Sequence, residues 1–167
     1  HRVSVAEPIS GPERKFTVSP YILGAWLGDG SSASGGFTTA DTEMLDAIRA
    51  EGETITKART GEYSYRFSDG DRTFASRSRS LAARLRALGI LGDKHIPEEY
   101  LTASKPQRLA LLQGLMDTDG FISAGQGQCE FTQKSERIAR QVYRLIASLG
   151  MRPRLMERDV TCNGSPA

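Results

Sequence analysis

Two aspartates, ninety residues apart, carry most of the chemistry this sequence can offer. Asp119 closes the stretch Leu111-Leu112-Gln113-Gly114-Leu115-Met116-Asp117-Thr118-Asp119-Gly120, and Asp29 closes Tyr21-Ile22-Leu23-Gly24-Ala25-Trp26-Leu27-Gly28-Asp29-Gly30. Each stretch reads as an apolar helix that packs through small residues and delivers one carboxylate at its C-terminal end. A carboxylate there faces the negative end of the helix dipole, which costs roughly 0.3–1 kcal/mol. Two such carboxylates side by side repel each other further. A divalent cation between them removes both penalties, and an oxygen-only ligand set suits Mg²⁺ or Ca²⁺ better than zinc. Asp119 has a counterpart in Asp29, whereas Asp117 falls opposite Leu27 and is left as an accessory acid. Asp117-Thr118-Asp119-Gly120 is not an EF-hand, because Ile122 and Gln128 stand where that loop needs Gly and Glu.

Magnesium held by two carboxylates, with positions left open, suits displacement at phosphorus: it activates water and clamps the phosphate. A lysine nearby would stabilise the charge that develops. The chain has only five lysines, and Lys94, Lys57 and Lys134 are the candidates.

For two carboxylates on separate helices to meet, the helices must approach closely. Gly24-x-x-x-Gly28 on one and Gly114-x-x-x-Thr118 on the other supply the small residues for such a crossing. Ser19-Pro20 reads as an N-cap and first helical residue, and Pro106 opens the second acid-bearing helix. Asp41 caps a helix with Met44, Leu45 and Ile48 on its apolar stripe. Residues 54–59 and 63–68 alternate as a hairpin across Thr60-Gly61-Glu62. Residues 76–88 read as one helix ended by Gly89. Asp93-Lys94-His95-Ile96-Pro97 is a polar loop leading to a short helix with Tyr100 and Leu101. Short strands are expected at 2–9, Phe37-Thr38-Thr39, Phe121-Ile122-Ser123, 128–133 and 152–159. Ser135 caps a long helix whose Ile138, Val142, Leu145, Ile146 and Leu149 form one continuous stripe.

Phe37-Thr38-Thr39-Ala40-Asp41 and Phe131-Thr132-Gln133-Lys134-Ser135 occupy matching places after the two acid-bearing helices, the mark of an incomplete internal repeat. The order expected of the first half is helix, strand, strand, helix, strand, strand, helix. The second half follows it through its third strand.

The composition is that of a soluble globular chain, 38% apolar and 25% charged over 167 residues. No apolar run reaches the length of a membrane span, and no signal peptide opens the chain. Cys129 and Cys162 lack metal-ligand spacing and fit a reducing compartment. The chain begins at His1 rather than Met, which suggests a processed product or a fragment. Its net charge of +2 is weak, but the basic residues cluster. Lys57 to Arg86 holds eight against three acids, and Lys134 to Arg158 holds seven against two. Lys57, Arg59, Arg66, Arg152, Arg154 and Arg158 are the candidates for DNA contact. The last three would share one face of a strand laid along a groove.

The two acid-bearing helices together resemble the signature of the LAGLIDADG (DOD-type) homing endonucleases. Residues 112–120 match the motif nearly completely, and residues 22–30 match it more loosely. Lys94-His95-Ile96-Pro97 is similar to the Lys-x-Ile-Pro block of the intein-borne branch, and Tyr21 to Gly30 resembles the same branch, particularly actinobacterial inteins of replicative DNA helicases. The resemblance covers about residues 17–160. It implies an α+β fold of pseudo-twofold tandem αββαββα repeats, with residues 17–104 as the first repeat and 105–167 as a truncated second. Residues 1–16 resemble a linker or strand from a splicing domain.

The resemblance further implies an intein-encoded, Mg²⁺-dependent endonuclease that cuts double-stranded DNA at a long site in an intein-less allele. Asp29 and Asp119 become the ligands that share two or more Mg²⁺ ions with the DNA, Lys94 the active-site lysine of the first half, and Gln133 and Lys134 accessory candidates. A host protein and a splicing domain would lie in cis, and a monomer in the bacterial cytoplasm is expected. The other reading is a relative of this fold that only binds DNA, or a degenerate domain kept as intein scaffold.

Overall fold

The computed structural model describes residues 7–67, 73–123, 125, 127–158, 161–162 and 165–166. It is an α+β structure with seven helices and three small antiparallel sheets among those residues. Two helices form its axis: α1 (Pro20–Asp29) and α6 (Lys105–Asp119). Every residue of α1 from Tyr21 to Leu27 is buried. Such a helix shows no amphipathic stripe because it is surrounded on all sides.

The glycines set how close α1 and α6 come. A β-carbon on Gly24 would run into the Leu111 carbonyl and lie 2.8 Å from the Leu115 nitrogen. One on Gly114 would run into the Tyr21 carbonyl and lie 2.7 Å from the Ala25 nitrogen. A β-carbon on Gly28 would collide with the Thr118 side chain. Positions 24 and 28 thus face 111–115 and 118 in the same order, so the two helices run parallel. Their C-terminal ends, each bearing an aspartate, finish on the same side of the molecule. The Tyr21 hydroxyl adds a cross-link, donating to Asp117 Oδ2 at 2.9 Å.

The remaining elements wrap this pair. After α1 come β1 (Phe37–Thr38), α2 (Thr42–Ala50), β2 (Ile55–Lys57) and β3 (Ser64–Phe67). The three strands form one sheet in the order β1-β3-β2. Asp41 caps α2 as expected, its Oδ1 accepting from the Glu43 nitrogen at 2.8 Å, and Met44, Leu45 and Ile48 point into the core. Then follow α3 (Phe74–Arg79), α4 (Leu81–Ala87) and α5 (Glu98–Leu101). Beyond α6 lie the hairpin β4 (Gly120–Ser123) and β5 (Gln128–Phe131), then α7 (Glu136–Ser148). A last bridge pairs β6 (Thr161–Cys162) with β7 (Ser165–Pro166). In α7, Ile138, Val142 and Leu145 are buried, and Leu149 joins them just past its end.

Several expectations are corrected. Between α1 and α2 there is one strand rather than two; the other is reduced to a single bridge between Gly30 and Phe37. The helix expected over 76–88 is two helices. Ser80 breaks it by capping α4, its Oγ accepting from the Ala83 nitrogen at 3.3 Å. A serine hydroxyl that satisfies a free helix-start N–H competes with continued helix.

Ser19 does not cap α1 with its side chain, which donates instead to Glu51 Oε2 at 2.5 Å. Residues 151–158 form no strand, and residues 7–10 none either; alternation alone makes a strand only where a neighbour offers its hydrogen-bonding edge. Residues 2–6 of the expected first strand lie outside the described residues. The segment expected as a linker is docked: the Arg14 nitrogen donates to Gln107 Oε1 at 3.1 Å, and Gln107 Nε2 donates to the Arg14 carbonyl at 2.5 Å.

Candidate active site

At the shared end of α1 and α6 the two carboxylates come close enough to feel each other. Burial raises Asp119 above the usual carboxylate range, the charge on Asp29 raises it further, and Lys94 opposes both. Burial likewise raises Asp29, again opposed by Lys94. Neither helix has a basic residue in its last turn, so the positive charge must come from elsewhere in the chain.

Lys94 supplies it from the loop between α4 and α5. Its Nζ donates to the carbonyls of Leu27 at 3.0 Å, Gly28 at 3.3 Å and Gly30 at 2.6 Å. An ammonium has three N–H groups, and here each has a carbonyl at the end of α1. The charge also lies 5.0 Å from the centre of the Trp26 ring, a cation–π contact. Half-burial lowers Lys94 from the ordinary lysine value, while Asp119 and Asp29 push it back up.

The loop that carries Lys94 is fixed on both flanks. Ile96 is buried, and the Gln141 amide brackets its backbone: Ile96 N donates to Oε1 at 2.9 Å, and Nε2 donates to the Ile96 carbonyl at 2.7 Å. Gly92 N donates to the Ser32 carbonyl at 2.9 Å, and Arg137 pairs with Asp93 at 3.0 Å.

Gln133 approaches from the other side. Its Nε2 donates to Asp119 Oδ2 at 3.1 Å, and its Oε1 accepts from the Ser135 nitrogen at 3.3 Å. Asp119, Lys94, Gln133 and Lys134 all line an open cleft of about 700 Å³, together with Gly28 and Thr132. Asp29 bears on it through its charge on Lys94 and Asp119. A second depression, of about 490 Å³, lies against α7 between Arg140, Tyr143, Arg144, Pro153 and Leu155 and has no acid in its lining.

Five of the seven residues read as catalytic or accessory from sequence therefore converge, Asp29, Asp119, Lys94, Gln133 and Lys134, while Lys57 stands on β2 outside the cleft. Asp117 is turned to Tyr21 instead. The six basic residues expected on DNA do not line the cleft. Lys57, Arg59 and Arg66 are exposed, but Lys57 pairs across the sheet with Tyr65 and Arg66 with Thr56, so Lys57 and Arg66 point to opposite faces. Arg152, Arg154 and Arg158 are exposed on a segment that is not a strand, which removes the shared face expected for them.

Three residues that matter to the site's frame were missed in the sequence. Tyr21 and Gln141 act through contacts 96 and 45 residues away in the chain, which no local pattern shows. Arg108 leaves a signal: it sits on the same stripe of α6 as Leu111, Leu112 and Leu115, where an apolar residue belongs. It is buried, with Nε donating to the Ala103 carbonyl at 2.9 Å and Nη1 to the Ser148 carbonyl at 2.9 Å. Its Nη2 donates to the Ile9 carbonyl.

Among the described residues no three His, Cys, Asp or Glu side chains cluster. Two carboxylates with backbone carbonyls and an open cleft fit a hard cation that keeps part of its shell for water or phosphate, as Mg²⁺ does. The donor set does not fit zinc, which prefers nitrogen and sulfur.

Two comparisons with known proteins find similarity. The chain is 43% identical over 152 residues to the replicative DNA helicase DnaB of Mycobacterium intracellulare, an alignment covering 91% of this chain and 22% of that protein. The chain thus spans about a fifth of the length of that relative. Residues 106–166 match the family model for the LAGLIDADG-like domain, so the match starts within α6 and includes Asp119, while α1 and Asp29 precede it. The matched region takes in α6 from its second residue, its terminal acid and the β4-β5-α7 unit that follows, and this part of the chain is similar to the LAGLIDADG-like domain.

Proposed function

We propose that this chain is the homing endonuclease domain of an intein borne by a replicative DNA helicase, cutting double-stranded DNA at a long site in the bacterial cytoplasm. The observation that carries the reading is the parallel pairing of α1 and α6, which sets the Asp29 and Asp119 carboxylates within each other's field beside Lys94. The likeness to a helicase of which this chain covers only 22% supports a domain inserted in a host protein.

In this reading the two halves, residues 17–104 and a truncated 105–167, are pseudo-twofold repeats. The like placement of β1 after α1 and of β4-β5 after α6 supports it. Residues 1–16 then join the nuclease to a splicing domain in cis.

Asp29 and Asp119 would hold Mg²⁺, which when bound supplies a Lewis acid for water and for the scissile phosphate. The chain's own residues do the rest. Gln133 orients Asp119 by its 3.1 Å hydrogen bond, and Lys134, at the cleft's rim, supplies positive charge toward an anionic substrate. Lys94 offsets the charge of both acids. Lys57, Arg59, Arg66, Arg152, Arg154 and Arg158 would reach backbone phosphates flanking the cut, contacts that position rather than specify. A monomer suffices, because both acids belong to one chain.

The test uses helicase-gene DNA lacking the insertion, incubated with protein and Mg²⁺. Wild type should give one double-strand cut, and Asp119→Asn should slow it on the order of 100-fold or more, the scale of losing one charge-stabilising group. Equal cutting by Asp119→Asn would refute the metal assignment. Binding without cutting by wild type would identify a relative that only binds DNA.

A further inference from the structure

The three carbonyls that receive Lys94 flank Asp29 in the chain. Leu27 and Gly28 precede it and Gly30 follows it, and all three point at one ammonium within 3.3 Å. In the protein as it stands, that ammonium occupies the place of a cation at the end of α1. Its geometry is that of a small cation site: three oxygens of a helix terminus that carries partial negative charge, next to an acid.

A divalent ion at Asp29 and Asp119 finds no third acidic side chain among the described residues. It completes its shell with neutral oxygens, from water or from the chain, and the chain carbonyls beside Asp29 are already engaged by Lys94. A monovalent and a divalent cation cannot share such a cradle, since they repel strongly at contact distance. Lys94 is free to give way. It is only half-buried, its four-carbon stem is flexible, and it opens onto the cleft of about 700 Å³ that Asp119, Gln133 and Lys134 also line.

We propose that the Leu27, Gly28 and Gly30 carbonyls form a cation site occupied in turn by the Lys94 ammonium and by a divalent ion, Lys94 swinging into the cleft when the ion binds. The inference rests on the metal reading of Asp29 and Asp119 given above. It adds a linkage to that reading. The lysine charge is withheld while the cradle is empty of metal and presented to an anionic substrate once metal is in place. The cost of withdrawing Lys94 also lowers metal affinity, as for any ligand that must shift a pre-existing state.

Trp26 makes the exchange visible. It is the only tryptophan in the chain, it is buried, and its ring lies under the Lys94 charge. Mg²⁺ is titrated into the full chain while selectively excited tryptophan emission is followed, and binding is measured in parallel by calorimetry. In wild type the emission should shift saturably along the calorimetric isotherm. Lys94→Met should bind Mg²⁺ about tenfold more tightly, a typical coupling between linked sites, with the metal-dependent emission shift gone.

Calorimetric binding by wild type with unchanged emission would overturn the exchange and leave the metal site standing. So would an equal shift in Lys94→Met. Absence of any Mg²⁺ binding by wild type would overturn the metal reading and the exchange together. The wild-type titration decides the matter even if the Lys94→Met protein does not fold.

Discussion

At each end of the parallel α1–α6 pair a cation bonds to backbone carbonyls, Arg108 near the start of α6 and Lys94 at the end of α1, and the two arrangements differ in one respect. At the N-terminal end Arg108 joins three parts of the chain: the Ala103 turn before α6, the end of α7 at Ser148, and Ile9 of the docked N-terminal segment. No acid takes part. At the C-terminal end Lys94 also bonds to three carbonyls, but two carboxylates lie within its field. Arg108 balances only dipoles, so nothing competes for its place and it serves as a structural pin. Lys94 balances net negative charge, and any stronger cation that reaches the cleft competes with it. A buried cation's partners, more than its burial, distinguish scaffold from function.

The sharpest way to break this contrast is to remove the pin. Arg108→Met should cost about 3 kcal/mol, because the buried Ala103 carbonyl and two part-buried ones lose their donor at once and an unsatisfied buried acceptor costs about 1–3 kcal/mol. Urea unfolding would measure it. A loss below 1 kcal/mol would mean that Arg108 is no more structural than Lys94.

The acid end should behave in the opposite sense. Asp119 is raised above its ordinary value, so ionised Asp119 weakens the fold at neutral pH. The favourable contribution is fully present below the ordinary carboxylate range and is lost as pH rises through the raised value. Asp119→Asn should therefore stabilise the protein at pH 7 by up to about 1 kcal/mol, the scale of a charge on the unfavourable helix end. The gain should shrink as pH falls toward the carboxylate range. Melting curves of both proteins across that range would show it, and a gain independent of pH would contradict the charge argument.

The smallest effect should come from a cation whose partners are exposed. Arg144 forms a two-pronged pair with Glu98 at 2.8 Å and 3.2 Å, but both side chains are more than half exposed. Arg144→Ala should change stability by less than about 0.5 kcal/mol, as solvent-screened pairs do. A larger loss, read from the same denaturation curves, would show that the pair braces α5 against α7.

Much of this frame was legible in the sequence where the cause is local. The cap at Asp41 acts within a turn of its own position, and the stripe from Ile138 to Leu149 and the small residues at 24, 28 and 114 show as local spacings, although the glycines act across the α1–α6 crossing. The repeated Asp-Gly ending also gave the partner of Asp119. Ser80 was misjudged because its neighbours favour helix, while its hydroxyl favours starting a new one. Residues 151–158 alternate like a strand, but pairing depends on a neighbouring edge that no local pattern can promise. The engagement of Lys94 with the Leu27, Gly28 and Gly30 carbonyls joins positions 64 to 67 residues apart, and it becomes visible only once α1 and the loop have met.

The parallel crossing at Gly24 and Gly114 has a consequence for how the protein is made. Antiparallel neighbours can meet across a short loop, whereas these two helices join only after a chain of about ninety residues has turned back. During synthesis α1 emerges with Tyr21 to Leu27 uncovered on every side and waits until α6 has left the ribosome. Such sequence-distant contacts slow folding and leave apolar surface open in the meantime. The segment that seats Asp29 is therefore an aggregation hazard for the nascent chain until α6 covers it, and substitutions in α1 should change how far folding depends on chaperones.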